Sequence, residues 1–477
     1  MRFALVLLAV VTCGATDPDK TIEHRIDQLA ESSGHAFAGI HVVELSSGKA
    51  IYHRNEDRLF LPASNAKLFT SALALLRLGP DHRFTTKIVA DGPDVLISGS
   101  GDPSLSGRVF PYKKDAAFGP SLKPIEDLAD QAIANGLRRV DGDIVGDDRL
   151  YPWAPYAPSW TQDDAIRDFG APVSALSVND NALALFIRPG ARVGELAELS
   201  LDPALEYYAI DNRIETVAHG SVPKVRIARQ PGSRQVLLWG SIPAGHAAIV
   251  ESLAIDDPAL YTAIALYDAL TKRGIAIAGR PVARHRLATD DYDPPQGAVL
   301  ATRTSPPLVH LLQTMDKVSQ NLFAELMLRE VGLTARHQGT REAGIDELNA
   351  LLAELGASKD ESRLEDGSGL SRNAMITPRL MTRLLIFMHG SRYRDDWISL
   401  LPAGGEDGTL QHRLCCIADG KGIRAKTGSL SRALALSGYA DNKTRGRLAF
   451  SIIVNDFSAP PAEVRVWIDK IALALLE

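Results

Sequence analysis

The run LPASNAKLFTSALALL, residues 61–76, opens polar and turns apolar. Leu68, Phe69, Ala72, Leu73 and Leu76 recur at helical spacing and predict an amphipathic helix. Before it, HAFAGIHVVEL and AIYHRN flank SSGK and read as two strands around a turn. From about Phe84 to Arg286 the texture changes. TTKIVADG, DVLISGSG and QVLLWGS are short β-like runs separated by Gly, Pro and Asp turns. Near Asp316 a helical period returns, carried by Leu322, Leu326 and Leu328. RALALSGYA and RLAFSIIVND then predict two buried strands. Val464, Trp467, Ile468, Ile471 and Leu475 share one face of a final helix, expected to pack on a sheet.

The two ends of the chain therefore complete each other. We expect a discontinuous α/β (α+β) domain, with helices around an antiparallel sheet, built from residues 20–83 and 298–477. It is interrupted by two smaller β-rich units, one spanning 84–170 with 254–297 and the other 171–253. Such a scaffold leaves a cleft where its parts meet, a usual place for a binding site.

The length, 477 residues, fits two or three domains. Hydrophobic residues make up 45% and charged residues 23%, ordinary values for a globular protein. A net charge of −6 argues against nucleic-acid binding. Arg2, the apolar stretch Phe3 to Thr12 and the small residues of CGAT read as an export signal over 1–16, too short to span a bilayer. VVTC also matches a lipoprotein box in which Cys13 would carry the lipid. No other segment is a transmembrane candidate. Cys415 and Cys416 are adjacent and imply no disulfide framework. An exported enzyme independent of disulfides fits a bacterial periplasm or outer surface.

Ser64 and Lys67 stand three residues apart, on one face of the expected helix. A serine hydroxyl needs a base to become a nucleophile. A lysine serves only when burial or a neighbouring cation lowers its pKa. The plainer reading is a helix cap beside a surface lysine, and Ser46 with Lys49 in SSGK shows the same spacing in a turn. Two distant strings separate the readings. DKVSQNLFAELM places Ser319 and Asn321 around Gln320, and AKTGSL places Lys426, Thr427, Gly428 and Ser429 before an apolar strand.

Ser-x-x-Lys, Ser-x-Asn and Lys-Thr-Gly, in that order, resemble the signature of penicillin-binding proteins and serine β-lactamases. The chain is similar to the D-Ala-D-Ala carboxypeptidase/endopeptidase family of low-molecular-mass class C penicillin-binding proteins (the penicillin-binding protein 4 type). GSGDPSL, APVSALSVNDNAL, EDGSGLSRNAMITP and LPAGGEDGTLQHRL look like further blocks of that family, so the resemblance runs from about residue 35 onward.

The resemblance implies Ser64 as nucleophile and Lys67 as its base. Ser319 would relay a proton to the departing amine, with Lys426 tuning that path electrostatically, and Asn321 would bond Lys67 and the substrate amide. Thr427, Gly428 and Ser429 would recognise the substrate, and the N–H groups of Ser64 and Ser429 would receive the oxyanion. In APSWTQDDAIRDFG, Trp160 would stack on the stem peptide, and Asp164, before Asp163, would meet a diaminopimelyl amine. Peptidoglycan stem peptides would be substrates and β-lactams covalent inhibitors, with no cofactor and no metal. Gln320 departs from the Asp common at its place. Ile345 in IDELN stands where a class A β-lactamase has its water-activating glutamate, which counts against β-lactam hydrolysis. A β-lactamase or esterase, and a non-catalytic peptidoglycan-binding or β-lactam-sensing protein, remain as other readings of the same scaffold.

Overall fold

The computed structural model describes residues 18–31, 36–230, 232–414 and 422–477. The expected signal over 1–16, Cys13, Cys415 and Cys416 lie outside the described residues.

The chain ends meet in one five-stranded antiparallel sheet, ordered Ile423–Leu430, Ala433–Asn442, Gly446–Asn455, Phe37–Glu44, Ala50–Arg54. Phe37 opposes Asn455, so the first long strand pairs with the last. Strand side chains alternate faces, and the core divides accordingly. Leu434, Leu436, Phe450, Ile452 and Val454 face the helices Pro18–Glu31 and Pro461–Ala474. Ala435, Tyr439, Ala449 and Ile453 face a second layer of helices. That layer contains Lys67–Arg77, Leu308–Lys317, Asn321–Arg336, Arg341–Glu354 and Pro378–His389. The terminal helix packs through Val464, Trp467, Ile468, Ile471 and Leu475, as its periodicity predicts.

Between these ends lies a mixed five-stranded sheet, ordered Pro281–Arg284, Ile144–Asp147, Asp94–Ser98, Thr85–Asp91, Ala298–Thr304. The expected return to the catalytic domain at residue 298 is therefore one strand too early. Ala298–Thr304 pairs with Thr85–Asp91, and the crossing falls where Ser305 N–H donates to the Phe84 carbonyl and Phe84 N–H donates to Ser305 Oγ. Two three-stranded sheets follow within the insertion, one of Ile249–Ala254, Ala182–Arg188 and Glu198–Asp202, the other of Lys224–Arg229, Gln235–Pro243 and Ala209–Val217. Their buried residues, including Leu185, Ile214 and Leu238, share one apolar core with Ile88, Ile97 and Leu128 of the first insert.

The insertion also contains helices Lys123–Ala134 and Pro258–Lys272, where the sequence reads as strands and turns. Pro258–Lys272 is buried on most of its circumference, through Tyr261, Thr262, Ala263, Ala265 and Leu266 among others. It therefore shows no clear polar stripe.

Phe450 is fully buried in a central strand. Phe450→Ala is expected to destabilise the catalytic domain by about 3–5 kcal/mol through lost burial and a residual cavity, measured by denaturant unfolding.

Candidate active site

Ser64 lies on a single turn of 3₁₀ helix, Ala63–Ala66, that runs into the helix Lys67–Arg77. Ala63 has φ +49°, a left-handed conformation costly for a residue with a side chain. It bends the chain sharply before the serine. Gly369 packs against this bend, and a Cβ there would lie 1.9 Å from the Ala63 carbonyl oxygen. Ser64 itself stays partly exposed, while Asn65, Ala66 and Lys67 are buried.

Lys67 is the centre of the arrangement. Its Nζ donates to Ser64 Oγ at 2.9 Å, to Asn321 Oδ1 at 2.5 Å and to the Ser368 carbonyl at 2.8 Å. The side chain has no solvent exposure. Burial, followed by the positive charge of Lys426, lowers its pKa to about 7, against the opposing pull of Asp366, Asp316 and Glu325. A lysine so tuned carries enough neutral amine near pH 7 to act as a base.

Ser319 sits between the helices Leu308–Lys317 and Asn321–Arg336, with φ +62°. Gln320, the departure in this motif, accepts from Leu322 N–H at 3.1 Å and caps the second helix. Asn321 gives its oxygen to Lys67 and donates its Nδ2 to the Phe169 carbonyl at 2.7 Å. Lys426, buried on the edge strand Ile423–Leu430, donates to Ser319 Oγ at 2.8 Å and to the Thr427 carbonyl at 2.8 Å. Burial lowers its pKa as well, with Asp316 opposing. Two Ser–Lys pairs thus face one site.

Gly428 has a packing role at this edge. A Cβ there would stand 2.6 Å from the Pro62 carbonyl and 3.2 Å from Asn65 Nδ2. Asn65 Nδ2 in turn donates to the Lys426 carbonyl at 3.0 Å, tying the strand to the turn that carries Ser64. Thr427 Oγ1 meets Thr409 Oγ1 at 2.8 Å, and Ser429 is exposed.

Several site residues are absent from the motif reading. Within the string EDGSGL the chain bends over residues 366–369. Its Ser368 carbonyl is the third acceptor on Lys67. Glu325 holds this bend by accepting from Gly367 N–H and Ser368 N–H at 3.0 and 2.9 Å. Asp366 accepts from Gly369 N–H at 2.9 Å and Ser371 N–H at 2.7 Å. Asp316 accepts from Ser71 Oγ at 2.6 Å beneath both lysines. The signal available in the sequence was only the position of Glu325 one turn after Asn321.

The 160–170 segment lies close by but differs from expectation. Trp160 is half-buried, and its Nε1 donates to Asp366 Oδ2 at 2.9 Å. Asp164 is buried and bonded to Arg372 at 2.6 and 3.1 Å, and it also accepts from Thr161 N–H at 2.9 Å. Its carboxylate is therefore engaged by a cation of the chain itself and does not stand open to a substrate amine. Asp163 beside it is exposed. IDELN lies within the helix Arg341–Glu354, where Glu347 bonds Arg77 and Arg336.

The fold can be set beside known ones at this point. The crystal structure of penicillin binding protein 4 (dacB) from Haemophilus influenzae matches with a TM-score of 0.80 at 22% identity, covering 94% of this chain and 97% of that one. A structure of the same protein complexed with a β-lactam matches with a TM-score of 0.75 at 21% identity, covering 94% and 98%. Fold and site together define a serine enzyme on the penicillin-binding-protein scaffold.

In sequence, a D-alanyl-D-alanine carboxypeptidase of Actinomadura sp. (strain R39) is 32% identical over 462 residues, 93% of this chain and 81% of the relative. The D-alanyl-D-alanine carboxypeptidase DacB of Haemophilus influenzae is 24% identical, over 96% and 92% of the two chains. The model of the D-Ala-D-Ala carboxypeptidase 3 (S13) family matches residues 20–474, and the chain belongs to that family.

Acylation by a penicillin is expected to speed up as pH rises through about 7, because Lys67 must lose its proton to accept one from Ser64. Stopped-flow acylation rates across pH 5–8 test this; a flat profile would contradict it. Gly428→Ala must push Pro62 or the edge strand aside, and a shift near 1 Å at reacting groups costs roughly 10²-fold in rate. The same acylation assay measures that loss.

Proposed function

We propose that the chain is a serine-type DD-peptidase that cleaves the terminal D-Ala-D-Ala bond of peptidoglycan stem peptides through an acyl-enzyme on Ser64. The observation that carries this is the buried amine of Lys67, 2.9 Å from Ser64 Oγ, facing a second Ser–Lys pair at 2.8 Å.

In this reading Ser64 Oγ attacks the carbonyl carbon and its proton passes to neutral Lys67. The C–N bond breaks as Ser319 hands its proton to the departing amine, under the field of Lys426. Lys67 then returns the proton it took to Ser319, so the acyl-enzyme keeps a neutral Lys67 and an intact Ser319 hydroxyl, while Lys426 stays protonated throughout. The N–H groups of Ser64 and Ser429 receive the oxyanion, and each such donor is commonly worth about 2.7–4 kcal/mol. Thr427, Lys426 and Ser429 bind the terminal carboxylate. Water releases the shortened peptide and regenerates Ser64. A β-lactam follows the same first step and stays attached. Trp160, through Asp366, holds the 365–371 turn and so positions Lys67. D-Ala–diaminopimelate cross-links contain the same kind of amide and are a second substrate of the site.

The substrate lies outside the cytoplasmic membrane, and the Arg2 to Thr12 pattern suits export there. Among the described residues no helix is long and apolar enough to cross a membrane.

Incubation with a labelled penicillin, followed by peptide mapping, is expected to place one stable adduct on Ser64. Ser64→Ala is expected to abolish both that adduct and D-alanine release from a pentapeptide, while Ser46→Ala leaves both intact. Label on Ser46, or rapid turnover of the penicillin, would contradict the assignment.

A further inference from the structure

The chain between Asp102 and Lys123 leaves the inserted sheet and reaches the catalytic domain. The Tyr112 hydroxyl accepts from Gly408 N–H at 3.1 Å, and Asp115 Oδ1 accepts from Gln411 Nε2 at 3.3 Å. Between this loop and the helix Leu308–Lys317 lies a concavity of about 200 Å³, lined by Arg108, Tyr112, Lys113, Phe118, Thr314 and Val318 among others. Its rim is mixed and open to water: Phe118, 68% exposed, and Val318, 37%, supply apolar surface, and Lys113 and Asp115 supply charges of opposite sign. The Phe118 ring is nevertheless held. The Arg108 guanidinium lies 5.1 Å from its centroid, and that guanidinium is bonded to Asp180 at 2.7 Å.

The position of this concavity gives it meaning. Val318 immediately precedes Ser319. Gly408, held by Tyr112, immediately precedes Thr409, whose hydroxyl meets Thr427. The concavity therefore adjoins the end of the site where the departing amine and its carboxylate lie in the proposed reaction.

We propose that it binds the leaving-group arm of a cross-linked stem peptide; this rests on the DD-peptidase reading above. In a pentapeptide the leaving group is D-alanine, whose side chain is one methyl. In a D-Ala–diaminopimelate cross-link the same amide joins the acyl D-alanine to the side-chain amine of diaminopimelate. The adjacent carboxylate is retained, but the methyl is replaced by an arm leading to a second stem peptide. Bond making and breaking are unchanged: the acyl C–N bond breaks, the amine takes a proton, and water later cleaves the ester. Only the cross-linked substrate has a group that must pass beyond Ser319 and Thr427. Phe118 offers an apolar surface to the methylenes of that arm, and exposed Lys113 and Lys114 suit the carboxylates of the second peptide.

The test uses the full chain with Phe118→Ser and, separately, Lys113→Glu, two exposed positions outside the catalytic groups. Three rates are compared: D-alanine release from a pentapeptide, cleavage of a purified D,D-cross-linked muropeptide dimer, and acylation by penicillin. Loss of a well-placed apolar contact is expected to slow dimer cleavage roughly tenfold for Phe118→Ser. Pentapeptide hydrolysis and acylation should stay within about twofold, as for exposed substitutions generally. Equal losses on both peptides, or undiminished dimer cleavage, would overturn the proposal. So would a change in sedimentation of Phe118→Ser, which would assign the rim to self-association. An unaltered enzyme that releases D-alanine but leaves the dimer intact would sink this inference and spare the DD-peptidase reading; one that is never acylated would sink that reading itself.

Discussion

An ammonium group sealed from water must be satisfied by the protein around it, and Lys67 sets that demand here. An unpaired buried charge is among the most costly features a fold can contain. Its three acceptors come from three separated parts of the chain: Ser64, Asn321 and the Ser368 carbonyl. Each part is then fixed by its own contacts. Glu325 and Asp366 shape the Ser368 turn, Gln320 caps the helix that carries Asn321, and Asn65 ties the Ser64 turn to the edge strand. The same burial that makes the lysine costly to house makes it a base at neutral pH. Stability and chemistry are thus two aspects of one desolvated amine.

The inserted segment contributes to this enclosure. The Phe169 carbonyl accepts from Asn321, Trp160 bonds Asp366, Arg372 pairs with Asp164, and Arg329 donates to the Ala154 carbonyl at 2.9 Å. These contacts fasten the 154–170 stretch across one side of the catalytic groups. Arg167 pairs with Glu251, which carries the connection into the all-β part of the insertion. The insertion is consequently a wall of the site as well as an appendage to it.

Much of this was legible in the sequence because it depends on periodicity and on rare strings. The alternating apolar runs of residues 433–455 and the helical faces of Lys67–Arg77 and Pro461–Ala474 need no tertiary information. Ser64, Lys67, Ser319, Asn321 and Lys426 were found because their order and type are unusual together. What escaped was set by packing. Pro258–Lys272 is enclosed on most sides, so no amphipathic signal marks it as a helix. Ala298–Thr304 joins the inserted sheet through pairing with a strand far back in sequence, which no local pattern reveals. Asp164 and Asp163 are neighbours of identical chemistry, and only the position of Arg372 decides which is engaged. Ser368 contributes a backbone oxygen, a group every residue owns and no motif can single out.

The pairing of Phe37 with Asn455 has a bearing on biogenesis. A polypeptide leaves the ribosome from its amino end, and domains generally fold as units during synthesis. Phe37–Glu44 must wait for Gly446–Asn455 before the sheet can close, whereas the inserted units have all their strands much earlier. Lys426, too, reaches Ser319 only as part of that late sheet. Ser64 is therefore synthesised long before Lys426 and the strands Ala433–Asn442 and Gly446–Asn455, so that the newborn chain carries an unassembled Ser–Lys site until those strands arrive.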